Sequence, residues 1–415
     1  MTTELSEKRR KRAMIFIFVT VMLDILGIGL IIPVVPSLLE DVGVTDVGNA
    51  AVIGAWMFAV YSLALFVFGP MVGNLSDAFG RRPLLLLAIA GLAIDYVFSA
   101  LAPTVFFLFI GRLIAGICGA SYIIANAFIA DVTKPEDRAG AFGMIGAAFG
   151  IGFILGPGIG GLLGQFGPRV PFWVAAGIAA ANFAIGYFVL PETLPKEKRR
   201  KFDLKRANPF SALLVFRGYP TVLPMVAVIT LYFFAGAVYP AIWAFWGKAR
   251  FGWDEGTIGL TLMAFGLIQA IVQGGLSGPV AKRFGETDVA LFGLLVATFV
   301  ALGFGFAGTV FVVILLLVLH GPEGLVHPML TAAMSKQVPD DAQGELQGGI
   351  SSLTNLATLF GTLAFAQIFS LYTRPGSDTY APSSPFFFAS ALLAVAFVWF
   401  LTIERKRRRA MRFTD

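Results

Sequence analysis

The stretch Gly73-Asn-Leu-Ser-Asp-Ala-Phe-Gly-Arg-Arg-Pro83 lies between two apolar runs, each long enough to cross a bilayer. Gly73 and Gly80 allow a tight reversal, and Pro83 suits the first turn of the following helix. Arg81 and Arg82 are costly to translocate, which predicts the turn on the cytoplasmic side. The spacing recurs in the second half of the chain. There Gly278-Pro-Val-Ala-Lys-Arg-Phe-Gly285 repeats both end glycines and the Phe that precedes the last one. One hairpin used twice predicts a duplicated membrane protein.

Composition supports this. Hydrophobic residues make up 57% of the chain and charged residues 13%, with a mean hydropathy of +0.81. A soluble domain carries about a quarter charged residues, so most of this chain must face lipid or other apolar helices. The 41 Phe and 47 Gly fit, since glycine lets membrane helices approach closely. The 415 residues leave room for about twelve spans of roughly 20 residues each. The single cysteine, Cys118, lies in an apolar run and reads as a small packing residue. A formal charge of +6 does not imply nucleic acid, because the basic residues are confined to loops and tails. The first apolar run is too long for a cleavable signal peptide and lacks a small-residue cleavage site.

Spans are predicted near 14–39, 50–73, 83–102, 104–130, 139–164 and 171–190, then near 220–246, 257–280, 287–307, 309–334, 345–372 and 385–403. The fold class is therefore all-α: twelve transmembrane helices in two pseudo-symmetric six-helix bundles, 14–190 and 220–403. A basic tail covers 1–13 and another 404–415. The connector 191–219 contains Lys196, Lys198, Arg199, Arg200, Lys201, Lys205 and Arg206. With both termini cytoplasmic, every Lys and Arg falls on the cytoplasmic side except Arg169, Lys248, Arg250 and Arg374, and Arg112 within a span. The fifth span carries glycines at 146, 150, 152, 156, 158, 160 and 161 around Pro157. It reads as a close-packing helix that also hinges or slides.

Three stretches resemble the signature motifs of major facilitator superfamily transporters: Gly73–Pro83, Gly111-Arg-Leu-Ile-Ala-Gly116 and Gly152–Gly161. The glycine-rich fifth span resembles the drug–proton antiporter branch, and the chain looks most similar to tetracycline–proton antiporters. Leu23-Asp-Ile-Leu-Gly-Ile-Gly-Leu-Ile-Ile-Pro33, Ile94-Asp-Tyr96, Ala130-Asp-Val132, Lys282-Arg-Phe-Gly-Glu286 and Gln343-Gly-Glu-Leu-Gln-Gly348 carry that resemblance further. The chain departs from it in spans eight and nine. Gln269 stands where those antiporters carry a histidine, and apolar residues around Leu295–Phe299 stand where they carry an acid. Leu65 replaces a glutamine in span two.

Charges within a bilayer are expensive and face a cavity or a partner. Helical rise places Asp24, Asp95 and Arg112 near one level, the midplane. Asp24 reads as a proton or cation site, or as a solvated acid near a helix end. Asp95 and Arg112, on consecutive antiparallel helices, form a static ion pair, or Arg112 holds an acid ionised until a proton or substrate displaces it. The resemblance assigns that arginine to proton coupling. His320, Glu323 and His327 fall within about 60° of one helical face, and could bind metal, pack, or form a protonation or substrate site; Glu323 is assigned to proton coupling. Tyr122, Asn126, Phe234, Gln269, Gln273, His320, His327 and Asn355 are candidate cavity residues. Trp243 could also line the cavity, or with Trp246 form an interfacial belt. Asp77, Arg81, Asp131 and Arg138 form a candidate charge cluster, to which the resemblance gives a gating role together with Gly73, Gly80, Arg82, Gly156 and Pro157.

The expected protein is a monomeric carrier in a bacterial inner membrane, not an enzyme, with no cofactor, metal or nucleic acid. Its partners are the lipid bilayer, protons and a small molecule, which is a hydrophobic or amphipathic drug of tetracycline type. The alternative is a facilitator for a physiological metabolite. A membrane enzyme would need a nucleophile–base or metal constellation at a water interface, and a sensor would need a signalling domain.

Overall fold

The structure, a computed structural model, describes residues 7–134, 137–200, 202, 216, 218–339, 342–376 and 379–412. Lys201, Lys205 and Arg206 of the connector, and tail residues 1–6 and 413–415, lie outside the described residues.

A chain this apolar must satisfy its backbone hydrogen bonds within each segment, and helices do so. Twelve helical segments are long and apolar enough to span: Arg9–Asp41, Val47–Phe79, Arg81–Leu101, Val105–Val132, Gly140–Gly164, Val170–Val189, Pro220–Phe251, Glu255–Phe284, Glu286–Phe306, Val310–Ser335, Gln343–Thr373 and Ser384–Arg407. They match the twelve expected spans and are numbered here in that order. Several extend past the apolar run because a helix continues until its capping sequence ends it.

Breaks in these helices are regular. Span one tightens to a 3-10 turn at Ile32–Val34, around Pro33. Span four divides into Val105–Cys118 and Ser121–Val132, and span seven into Leu223–Gly236 and Val238–Phe251. Span ten holds a 3-10 turn at Gly321–Leu325. These are the first helices of four successive triplets, the pattern of nested three-helix repeats in which discontinuous helices build binding sites. Span eight adds a π-helical turn at Val272–Leu276, a distortion frequent at functional sites.

Contacts divide the chain into two compact units. The first comprises Met1–Thr45, Trp56–Pro209 and Asp254–Met263; the second comprises Asp46–Ala55, Phe210–Trp253 and Ala264–Asp415. The beginnings of spans two and eight thus pack with the unit opposite to the rest of their helices. Each beginning is capped the same way: Asn49 N–H donates to Asp46 Oδ1 at 2.6 Å, and Thr257 N–H donates to Asp254 Oδ1 at 2.8 Å.

Membrane helices gain little from hydrophobicity against one another, so close backbone approach must hold them. In the first unit, Gly152, Gly156 and Gly160 of span five form one bare stripe against span one. A Cβ on Gly156 would come within 2.8 Å of the Gly29 Cα and the Leu26 carbonyl, and Pro157 packs beside Gly29. The opposite stripe, Gly158 and Gly161, receives Met263, Glu255 and Gly259. Gly146 and Gly150, by contrast, face open space. Cys118 packs over Gly91. An apolar cluster built on Phe16, Ile17, Leu85, Ile89, Phe128 and Ile145 completes this unit.

The second unit holds a core around Val228, Ile229, Leu294, Leu330, Leu346 and Phe400. Beside it, Trp246 meets Phe304, Phe386 and Trp253 edge-on, and its indole N–H donates to Ser383 Oγ at 2.9 Å. This corrects the expectation of an interfacial belt. Trp246 is fully buried and Trp243 nearly so, because the aromatic residues of spans seven, nine and twelve converge there.

The two repeated hairpins share a backbone conformation. Gly80 has φ 109°, ψ 155°, and Gly285 has φ 81°, ψ 149°; each immediately precedes a helix. Positive φ is cheap only for glycine, which accounts for the repeated residue.

Candidate functional site

Two buried centres emerge, one in each unit, together with a charge cluster at the Gly80 turn.

In the first unit, Asp95 of span three is fully buried, and Arg112 of span four approaches it at 3.4 Å (Nη2 to Oδ2). Ser99, one turn on, donates to the other carboxylate oxygen at 3.4 Å. Gly111 makes this approach possible, for a Cβ there would lie 2.4 Å from Ser99 Oγ and 3.0 Å from Asp95 Oδ1. Gly116 does the same against the Tyr61 carbonyl and Ala64 of span two. Asp24 of span one accepts a 2.6 Å hydrogen bond from Ser121 of span four. It opens onto a narrow cleft lined also by Gly27, Leu30, Tyr96, Ala179 and Asn182. Thr20 and Asn182 bond across spans one and six at 3.3 Å. Tyr61 and Tyr96 lie within electrostatic reach of Asp24, Asp95 and Arg112.

The charge balance here is chemically informative. The bundle holds two acids and one base, and among the described residues no basic side chain reaches Asp24. An ionised Asp24 leans on a neutral hydroxyl alone. In an apolar bundle that arrangement is costly, and a proton or a cationic guest on Asp24 removes the cost.

The cluster at the Gly80 turn is centred on Arg81. Its guanidinium contacts Asp77 at 2.5 Å, Asp131 at 3.1 Å and Ser76 Oγ at 2.6 Å. Ser76 in turn donates to the Gly73 carbonyl. Glu192, at the end of span six, accepts from the backbone N–H groups of Arg81, Thr193 and Leu194 at 2.9–3.0 Å and pairs with Arg199 at 3.6 Å. A Cβ on Gly80 would strike Glu192 and Arg199. Arg82 stands apart, donating to the Tyr187 carbonyl at 2.7 Å and lying over its ring. Arg138 was expected in the cluster, but its guanidinium donates to the Ala130 carbonyl at 3.2 Å. Its place at the first turn of a helix points it back along the end of span four.

In the second unit, His320 and Glu323 touch (Nε2 to Oε2), at 2% and 4% exposure. The expected single face does not extend to His327. The 3-10 turn winds tighter than an α-helix, so His327 emerges exposed, edge-on to Phe233 at 5.3 Å. Gln269 packs against Gly324, and Gln273 donates to Gln269 at 3.4 Å. Phe234 lies 6.1 Å from Phe365 on span eleven. Tyr122 and Asn355 are exposed, and Asn126 is spent on the Tyr122 carbonyl at 2.8 Å. Among the described residues no three His, Cys, Asp or Glu side chains gather as metal ligands.

Sequence reasoning missed Ser121, Ser99 and Glu192. Glu192 carried one legible signal, an acid directly after a span with a basic connector beyond it. The two serines carried none, since a serine in an apolar helix commonly bonds its own backbone.

Comparison with known proteins agrees with this architecture. The chain is 39% identical over 364 residues to the class C tetracycline resistance protein of Escherichia coli, covering 87% of this chain and 91% of that one. It is 26% identical over 413 residues to multidrug resistance protein 2 of Bacillus subtilis, covering 98% of each. The solved structure of a bacterial homologue of the human lysosomal transporter Spinster superposes with a TM-score of 0.78 over 97% of this chain and 98% of that one, at 15% identity, a likeness of fold alone. The family model described as Major Facilitator Superfamily matches residues 17–249 and 225–414. As its three motifs led one to expect, the chain is a multi-pass membrane transporter of small molecules and belongs to the major facilitator superfamily, with tetracycline resistance proteins among its relatives.

Proposed function

We propose that this transporter exports a hydrophobic or amphipathic drug, of tetracycline type or broader, in exchange for protons, from a bacterial inner membrane with both termini in the cytoplasm. The observation that carries the reading is the excess acid of the buried centre in the first unit: Arg112 pairs with Asp95, and among the described residues Asp24 has only the Ser121 hydroxyl. Two acids against one base leave this buried centre one positive charge short of neutrality. A proton arriving from outside supplies it, and its departure to the cytoplasm restores the charge. Coupling requires that proton and drug bias the access equilibrium in opposite directions. The resistance proteins among the relatives make a drug the natural cargo.

Gating falls to the Arg81 cluster, which ties spans two, three, four and six together while its ion pairs hold. The glycine stripes of span five, with Gly156 and Pro157 at their centre, provide the sliding surface.

Proteoliposomes containing the purified protein test the reading. An imposed pH gradient should drive tetracycline uptake into inverted vesicles, with protons released in step. Asp24→Asn should abolish this at unchanged protein level. Uptake that ignores the gradient would identify a proton-independent facilitator instead.

A further inference from the structure

His320 closes the helix Val310–Leu319, and Glu323 lies in the 3-10 turn that follows. With three residues per turn, positions i and i+3 eclipse, so the imidazole Nε2 and the carboxyl Oε2 meet. If both atoms were bare, lone pair would oppose lone pair. The contact therefore holds a proton, and while Nδ1 is bare that proton is on Nε2, since a neutral imidazole keeps one N–H. With that single proton and Nδ1 bare, the pair bears one negative charge. A second proton on Nδ1 makes it imidazolium and carboxylate, with no net charge.

The surroundings leave this second position open. Among the described residues the buried His320 Nδ1 has no hydrogen-bond partner, and neither has the hydroxyl of Tyr239, whose ring neighbours the imidazole. Unsatisfied buried polar atoms are rare enough to require a reason. From span seven, two phenols face the pair. The Tyr239 ring stands edge-on to the imidazole at 4.7 Å, and Tyr232 donates to the Glu323 carbonyl at 3.3 Å. Span eight contributes Phe265, 5.0 Å from the imidazole, and Gln269 against Gly324. Span nine contributes Gly293 beside the Pro322 carbonyl, and carries no titratable side chain between Val289 and Phe306. No lysine or arginine among the described residues pairs with Glu323. The pair sits where span ten is already broken, and Tyr232 and Gln269 bear on that break.

We infer that His320 and Glu323 form a second proton-carrying site, in the second unit, which takes up one proton and releases it across the membrane in each cycle beyond the proton handled by Asp24. The proton bound at Nδ1 is the proton released, so no other bond changes and no co-reactant is needed. The inference deepens the exchange proposed above and rests on it. Each further charge moved per cycle raises the drug ratio the carrier can sustain by about fifty-fold per 100 mV.

Two measurements decide it. In proteoliposomes with tetracycline as probe, no pH gradient, and a potassium-diffusion potential, the limiting ratio should fall by about fifty-fold per 100 mV in both Glu323→Gln and His320→Gln. The proton count per tetracycline should fall by one, while Glu323→Asp keeps the wild-type count. A coupled wild type with unchanged counts in both variants would overturn this inference alone. A wild type that carries tetracycline without moving protons would overturn the exchange itself. The second measurement needs neither transport nor a change in the pair. The chain has two histidines, so His327→Gln leaves His320 as the sole signal in nitrogen NMR of histidine-labelled protein. Nδ1 should gain a proton as the sample is acidified, and a ring that stays in one protonation state throughout refutes the site.

Discussion

Gly111→Ala adds one methyl group at the point where span four meets the buried acid of span three. Its Cβ would lie 2.4 Å from Ser99 Oγ, 3.0 Å from Asp95 Oδ1 and 3.7 Å from Phe98 Cδ1. Two relaxations are open. Ser99 can rotate away, giving up its 3.4 Å bond to Asp95, or the helices can part, stretching an Arg112–Asp95 contact already at 3.4 Å. Both remove support from a fully buried carboxylate. Overpacking of this kind costs about 1–3 kcal/mol. Borne by the rate-limiting state, that slows transport by about five- to one-hundred-and-fifty-fold. Drug efflux from energised vesicles at matched protein level measures it. A double-mutant cycle locates the cause: Ser99→Ala removes the nearest obstruction, so the double variant should recover part of the loss, though not the part due to Asp95. Wild-type efflux in Gly111→Ala, or no recovery on removing the serine hydroxyl, would refute the argument.

Gly80→Ala and Gly285→Ala should be measured as a pair. Each forces an L-residue into a positive-φ, extended-ψ region that only glycine visits readily, at about 1–3 kcal/mol, but only Gly80 also meets Glu192 and Arg199, whereas among the described residues nothing lies within 4 Å of a Cβ at Gly285. Thermal unfolding in detergent should show the larger loss for Gly80→Ala, and equal losses would mean that Glu192 does not brace the turn. Asp254 caps span eight, so Asp254→Ala should cost about 1 kcal/mol. Hydrogen bonds, first from Thr257 and then from Gln165, hold the Asp254 carboxyl below its ordinary range. A depressed carboxyl stabilises above its unfolded value and loses that contribution as pH falls through the folded one. The gap in melting temperature between wild type and Asp254→Ala should therefore close on acidification, and a gap that is flat with pH would exclude the cap as its source.

The spans were legible because hydropathy is a one-dimensional property, and a bilayer reads it segment by segment. The hairpin glycines were legible for a similar reason: positive φ is a local demand. Partners across helices were not. Asp24 could be placed in depth by counting residues, but its hydrogen bond comes from Ser121, 97 residues away on another helix. Trp243 and Trp246 satisfied every local rule for an interfacial belt, yet Phe304 and Phe386 arrive from other spans to bury them. His327 fell outside the expected face because a uniform helical wheel cannot anticipate a 3-10 turn. Glycine density in span five marked a close-packing helix, but not that it packs on two sides, each against a different segment.

Duplication supplied both halves with the same turn but not with the same chemistry. At Gly80 the following arginine is enclosed by Asp77, Asp131 and Ser76, and Glu192 binds its backbone. At Gly285 the corresponding helix Ser277–Phe284 has no buried residue, and Arg283 lies over its own neighbour Phe284. Glu286, which follows, pairs with the largely exposed Lys336. Exposed pairs are worth at most about 1 kcal/mol, whereas a buried arginine bound to two acids and a hydroxyl resists separation more strongly. A backbone device copied twice can thus bend both halves alike, while the resistance to bending resides in one of them. The buried centres are divided in the same manner: the first pairs one of its two acids with an arginine, and the second sets a histidine against its glutamate, with no lysine or arginine pairing among the described residues. Under the exchange proposed above, two frames furnished with different charges respond differently to the same proton, and that difference is what a carrier needs to turn a proton gradient into directed movement.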